Sequence, residues 1–173
     1  MLGVMLSVDE VEQSLAVGHE LRAFELKGPG SCDSKQFRAK VIRAALGMGN
    51  LRDGGHVVIG IDDRDPAAML PGLSADDLRS WSSHDTVASR FAEYADPPLQ
   101  FELAKMTLSS GADLVVLAVD QFTDIPHLCA KDYPSDLRKG ALYVRARRMR
   151  ETVEVATAAD MRDVIDTPRP RRS

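Results

Sequence analysis

Apolar positions along this chain fall into two periods, and the switches between them mark the elements. Val8, Val11 and Leu15 recur at helical spacing behind Ser7, and Ser7-Val8-Asp9-Glu10 has the S-x-x-E form of a capping box. A short helix is therefore predicted from Val8 to Ala16, ended near Gly18. From Leu21 to Lys27 the period drops to two, with Phe24 and Leu26 on one face and Ala23, Glu25 and Lys27 on the other. This predicts a strand that carries charge on one side. Gly28 to Ser34 is a loop of breakers, after which Phe37, Val41, Ala45 and Met48 line one face of a second helix ending between Gly47 and Asn50.

The organising stretch is Gly54 to Asp63, GGHVVIGIDD. Its five apolar or small residues, Val57 to Ile61, are too few and too β-branched for a buried helix, so they predict a central strand that delivers Asp62 and Asp63 to a sheet rim. Arg64, Asp65 and Pro66 then predict a turn, and Asp62 and Asp63 also suit the start of one. Met69 to Leu73 form a short apolar return. Ser74 caps a helix bearing Leu78 and Trp81, and another helical piece carries Val87, Phe91 and Tyr94 before Asp96-Pro97-Pro98 stops it. Leu99, Phe101 and Leu103, the Ser109-Ser110-Gly111 turn and the run from Leu114 to Val119 read as a β-hairpin. Ile125 to Ala130 and Ala141 to Arg147 predict two more strands. Thr157 caps a last helix with Met161, Val164 and Ile165. The sum is one α+β domain over residues 1–166, a mixed sheet with flanking helices, and a disordered basic tail over residues 167–173.

Composition narrows the class without naming a function. A chain of 173 residues, 44% hydrophobic and 28% charged, can bury a core unaided, and it contains neither a long apolar run nor a signal-peptide pattern. A cytoplasmic protein with no membrane partner is expected. Cys32 and Cys129 stand far apart with no ligand spacing, so reduced thiols are expected and a zinc site is not. The net charge of −4 is unevenly spread. From Arg138 onward ten basic residues face five acidic ones, so that end carries +5 and the rest −9. Such a split could set a metal-collecting site beside a phosphate-binding surface.

Several stretches in order then resemble the signature of the Schlafen-type AlbA domain family. They are Glu20 to Lys27 (ELRAFELK), a helix ending in Met48-Gly49-Asn50, Gly54-Gly55, Ile59-Gly60-Ile61-Asp62-Asp63, Leu70-Pro71-Gly72-Leu73, Ile125-Pro126 and Leu142-Tyr143-Val144-Arg145. The resemblance runs from about Glu20 to Ile165 and implies a Schlafen AlbA-like lobe. The chain departs from it where Leu51-Arg52-Asp53 intervene before Gly54.

The nuclease members imply three carboxylates, which fall here on Glu20, Glu25 and Asp62, with Asp63 the other candidate for the third. These would hold Mg²⁺ or Mn²⁺ at hard oxygens, to activate water and to offset phosphate charge. Lys27, on the strand face of Glu25, would add a positive charge at the phosphate. Glu20 and Glu25 have opposite strand parity, so Glu20 must precede the strand on a bend at Gly18-His19. The competing reading makes all three ordinary solvated or turn-forming acids.

Phosphate contacts are expected from Arg145, Arg147, Arg148 and Arg150, with strand alternation placing Arg145 and Arg147 on one face. A guarded edge strand is the alternative. The histidines, His19, His56, His84 and His127, show no triad or ligand spacing. ATP has no supporting motif, because Gly28-Pro29-Gly30-Ser31 is not a Walker loop. Two functions follow. The first is a metal-dependent endoribonuclease acting on structured, tRNA-like RNA; the second is a non-catalytic DNA- or RNA-binding module with a regulatory role. RNA is favoured over DNA. A homodimer is expected to complete a two-lobed basic groove.

Overall fold

Val57, Val58 and Ile59 are fully buried in the middle of the sheet in the computed structural model of this chain, which describes residues 4–17, 21–147 and 151–169. The elements run in order as α1 (Val8–Ala16), β1 (Phe24–Lys27), α2 (Lys35–Gly49) and β2 (Gly55–Ile59). A 3₁₀ turn over Pro66–Ala68 precedes α3 (Ala75–Ser80) and α4 (His84–Ala92). Then come β3 (Ala95–Asp96), β4 (Phe101–Thr107), β5 (Asp113–Val119), β6 (Leu128–Cys129), β7 (Tyr143–Arg145), β8 (Thr152–Glu154) and α5 (Ala158–Ile165).

The main sheet is mixed, in the order β1-β2-β5-β4, with β1 parallel to β2 and the other pairs antiparallel. Strand alternation splits its side chains into two cores. Val57, Ile59, Val115 and Leu117 pack with Val41, Ala45 and Met48 of α2 and with Trp81 and Phe91 beyond it. Phe24, Leu26, Val58 and Val116 pack instead with Val11 and Leu15 of α1. Helices on both faces make this one α+β domain. Its helices begin as predicted, with the Ser7 capping box and the hydroxyls of Ser74 and Thr157 accepting first-turn N–H groups.

Several expectations are corrected. The strand expected from Leu21 starts only at Phe24, because Phe24 N–H turns back to Leu21 C=O at 3.2 Å. The strands expected over Ile125 to Ala130 and Ala141 to Arg147 shrink to two and three residues. They form separate ribbons, β3 with β6 and β7 with β8. Strand β8 went unpredicted, since three residues carry almost no periodicity. Beyond the last helix, the expected tail is tied down at its start: the Thr167 hydroxyl donates to Asp163 C=O, and Gln121 donates to Pro168 C=O. Cys32 and Cys129 are buried free thiols. Among the described residues no helix is long and apolar enough to cross a membrane.

Candidate functional site

Alternation in β1 decides where its two charged residues go. Phe24 and Leu26 enter the α1 core, so Glu25 and Lys27 point to the α2 side, at the edge of the sheet where β1 has a strand neighbour on one flank only. There Glu25 is 6% exposed. Its Oε1 accepts from Lys27 Nζ at 2.6 Å, and its Oε2 accepts from Arg145 Nη1 at 2.6 Å and from the Thr152 hydroxyl at 3.1 Å. The β7–β8 ribbon supplies both of the latter partners. It can lie this close to α2 because position 47 is glycine, where a Cβ would stand 2.7 Å from Thr152 Oγ1.

Arg145 is 2% exposed and also clamps the chain ahead of β1. Its Nε donates to Arg22 C=O at 2.8 Å and its Nη2 to Leu21 C=O at 3.2 Å, while Arg22 donates back to Arg145 C=O. A buried carboxylate and a buried guanidinium are costly to desolvate, and this pair is stable because nearly every polar atom around it is matched.

Asp62 behaves differently. Arg64 Nε donates to its Oδ1 at 2.9 Å and Oδ2 at 3.1 Å and Arg64 Nη2 to its Oδ2 at 2.5 Å, with the Arg64 backbone N–H donating to Oδ1 as well. The guanidinium two residues away holds the Asp62 carboxyl down to about 2, although both side chains face water. Asp63 is exposed beside it.

Of the three carboxylates expected to hold a metal ion, the structure describes Glu25 and Asp62, and each is engaged by donors of its own. Glu25 is opposite Val57 in the β1–β2 register, five residues before Asp62. The strand also turns at Gly60, whose φ is +121° and which joins Ile61 in donating to Lys27 C=O. Both carboxylates already spend their oxygens on N–H or O–H donors. Among the described residues no group of three His, Cys, Asp or Glu side chains could hold a metal ion. Glu20 lies outside the described residues.

The arginine cluster also changes. Arg145 does not share a solvent face with Arg147, since β7 ends at Arg145 and alternation stops there; Arg145 turns inward to meet the charge of Glu25. Arg147 is exposed and pairs with Asp163 at 2.9 Å. It lines a cavity of about 210 Å³ with Arg22 and Arg52, where Asp160, Asp163 and Asp166 offset the arginines. Arg148 and Arg150 lie outside the described residues. The two-fold groove expected from this strand loses its support in Arg145, whose guanidinium is inside.

A different set of cations converges on the α2 side. Lys27 from β1 and Lys40 and Arg43 from α2 line a cavity of about 280 Å³, whose wall also holds the carboxylates of Glu25, Asp136 and Glu151 and the Thr152 hydroxyl. Lys40 and Arg43 are three apart on one helix face. Arg43 is fixed by bonds to Asp136 C=O at 3.1 Å and Thr152 C=O at 3.4 Å and by the Tyr143 ring 4.8 Å away. Sequence reading missed both. The only signal was two cations one turn apart on the helix that covers the charged face of β1.

The fold and site thus define an α+β domain with a cavity of mixed charge beside a neutralised buried carboxylate. The chain is similar in structure to the DIP2311 protein from Corynebacterium diphtheriae, with a TM-score of 0.56 and 16% identity over 86% of this chain and 29% of that one. This likeness supports the fold alone, and the chain spans under a third of that protein's length. No protein-family model matches the chain, and no curated protein matches it.

Proposed function

We propose that this chain is a non-catalytic nucleic-acid-binding module that engages backbone phosphates at the cavity lined by Lys27, Lys40 and Arg43. The observation that carries this reading is the state of Glu25. Its charge is met from inside by Arg145 and at the mouth by Lys27, so that Lys40 and Arg43 are the cations that face an anion from solvent, beside the carboxylates of Asp136 and Glu151. Metal-dependent cleavage would require Glu25 to trade its donors for a hard cation, stranding the buried Arg145 without its counter-charge. Phosphodiester binding requires no such exchange. The resemblance to the Schlafen-type AlbA family supports the same ligand class, nucleic acid.

The test is an anisotropy titration of labelled tRNA and of single-stranded DNA at several salt concentrations. Affinity should fall with salt at a log–log slope of about −0.7 to −0.9 per phosphate neutralised. Lys40→Ala should weaken all sequences alike and flatten that slope by about one. The same mixtures, incubated with Mn²⁺ or with EDTA, should leave the nucleic acid intact. Mn²⁺-dependent cleavage by the natural chain that EDTA abolishes would replace this reading with the endoribonuclease.

A further inference from the structure

The phosphate cavity has a neighbour. A second cavity, of about 450 Å³, is lined by Tyr133, Pro134, Tyr143 and Arg138, and it shares Arg43 and Asp136 with the first. The two therefore adjoin, with Arg43 and Asp136 in the wall of each. Ligand pockets of roughly 300–1,000 Å³ hold small organic molecules, and the second cavity falls within that range.

The two halves differ in chemistry. The first offers ammonium and guanidinium groups to an anion. The second offers flat surfaces, the partly buried Tyr133 ring and the exposed Pro134, with the Arg138 guanidinium at the edge, where it pairs with Glu154. The loop that presents them is fixed: Tyr133 and Leu137 exchange backbone hydrogen bonds at 2.9 and 3.0 Å, and the Tyr143 hydroxyl accepts from Arg138 N–H. A stacking face with a polar edge, one side chain away from a phosphate site, matches a nucleobase and its own phosphate.

We propose that the adjoining cavities take one unstacked nucleotide, phosphate between Lys27, Lys40 and Arg43 and base against Tyr133, so that the module selects single strands over duplexes. This rests on the phosphate-binding reading above. In a duplex the base is stacked and paired and cannot leave its neighbours to enter a cavity beside its phosphate, whereas a single strand presents it directly. Arg43, held by two carbonyls and the Tyr143 ring, sets the spacing between the halves.

The experiment compares a short labelled single strand with its duplex, using the full chain and the variants Tyr133→Ala and Tyr133→Phe. The single strand should bind about tenfold more tightly than the duplex, the size of one base-stacking contact. Tyr133→Ala should remove that preference while leaving duplex affinity and the salt slope unchanged, which also shows that the variant is folded. Tyr133→Phe should keep the preference. Salt-dependent binding with equal affinity for both forms, or a preference that survives Tyr133→Ala, would overturn the base site and leave the phosphate site standing. Absence of salt-dependent binding to either form would overturn both.

Discussion

Two carboxylate–arginine pairs in this chain use the same chemistry and carry very different structural weight. Asp62 and Arg64 are two residues apart, face water and meet through a local turn at the end of β2. Glu25 and Arg145 are 120 residues apart, and the pair is buried where β1, α2 and the β7–β8 ribbon converge. Water screens the first pair, so each partner loses little without the other. Nothing screens the second. Each of its charges is tolerated only because the other is present, and the ribbon that carries Arg145 is anchored to the sheet through it.

Breaking the buried pair should therefore have the largest effect. Arg145→Met or Glu25→Gln alone should destabilise the fold by about 3–5 kcal/mol, read as a lowered urea midpoint, because each leaves the opposite group uncompensated. The double variant Glu25→Leu with Arg145→Met should lose much less than the two single losses combined, since apolar side chains can fill the same space without stranding a charge. Strictly additive losses would show that the two side chains are not coupled, and the contrast between the regions would fall.

The same contrast explains what could be read from sequence. Asp62-Asp63-Arg64-Asp65-Pro66 announced a turn, because every residue that makes it lies within five positions. The alternation of Phe24, Glu25, Leu26 and Lys27 announced which face each would take, and the structure keeps that assignment. The apolar run of β2 likewise announced a buried centre. Nothing in the sequence announces that Arg145 is the partner of Glu25, since periodicity describes an element and not which distant element it meets. Alternation even pointed the wrong way, grouping Arg145 with Arg147 across a strand end that only the fold defines. Lys40 and Arg43 were passed over for a related reason. On a helix read alone they look like solvated polar positions, and only the packing of α2 beside β1 turns them toward Lys27.

His127 sharpens the comparison, because burial acts there without an ionic partner. The ring is 4% exposed, its Nδ1 lies 2.6 Å from Pro97 C=O, and its backbone N–H donates to the buried Asn50 side chain. Burial lowers its pKa below the ordinary 6.5. The unfolded chain therefore takes up a proton near pH 6.5 that the folded chain refuses, so stability is full above that pH and falls as pH drops toward the folded value. Urea midpoints measured from pH 7.5 down to pH 5 should decline in the natural chain and decline less in His127→Gln. Equal slopes would assign the acid sensitivity of this range to another group.

The smallest effect is expected at Asp62. Arg64 holds its carboxyl down to about 2, against an ordinary value of 3.8. A depressed carboxylate contributes stability above its unfolded pKa and loses it as pH falls through its folded one, so the pH dependence that Asp62 adds is confined to the window between those values, while its contribution at pH 7 is fully present. Both partners face water, which weakens the pair, and added salt weakens it further. Asp62→Asn should accordingly leave the urea midpoint at pH 7 nearly where it was, with any difference shrinking as salt is added. A loss at pH 7 as large as that of Glu25→Gln would mean that the rim of β2 is built like the buried pair, and that distance along the chain and exposure do not set the weight of an ion pair in this fold.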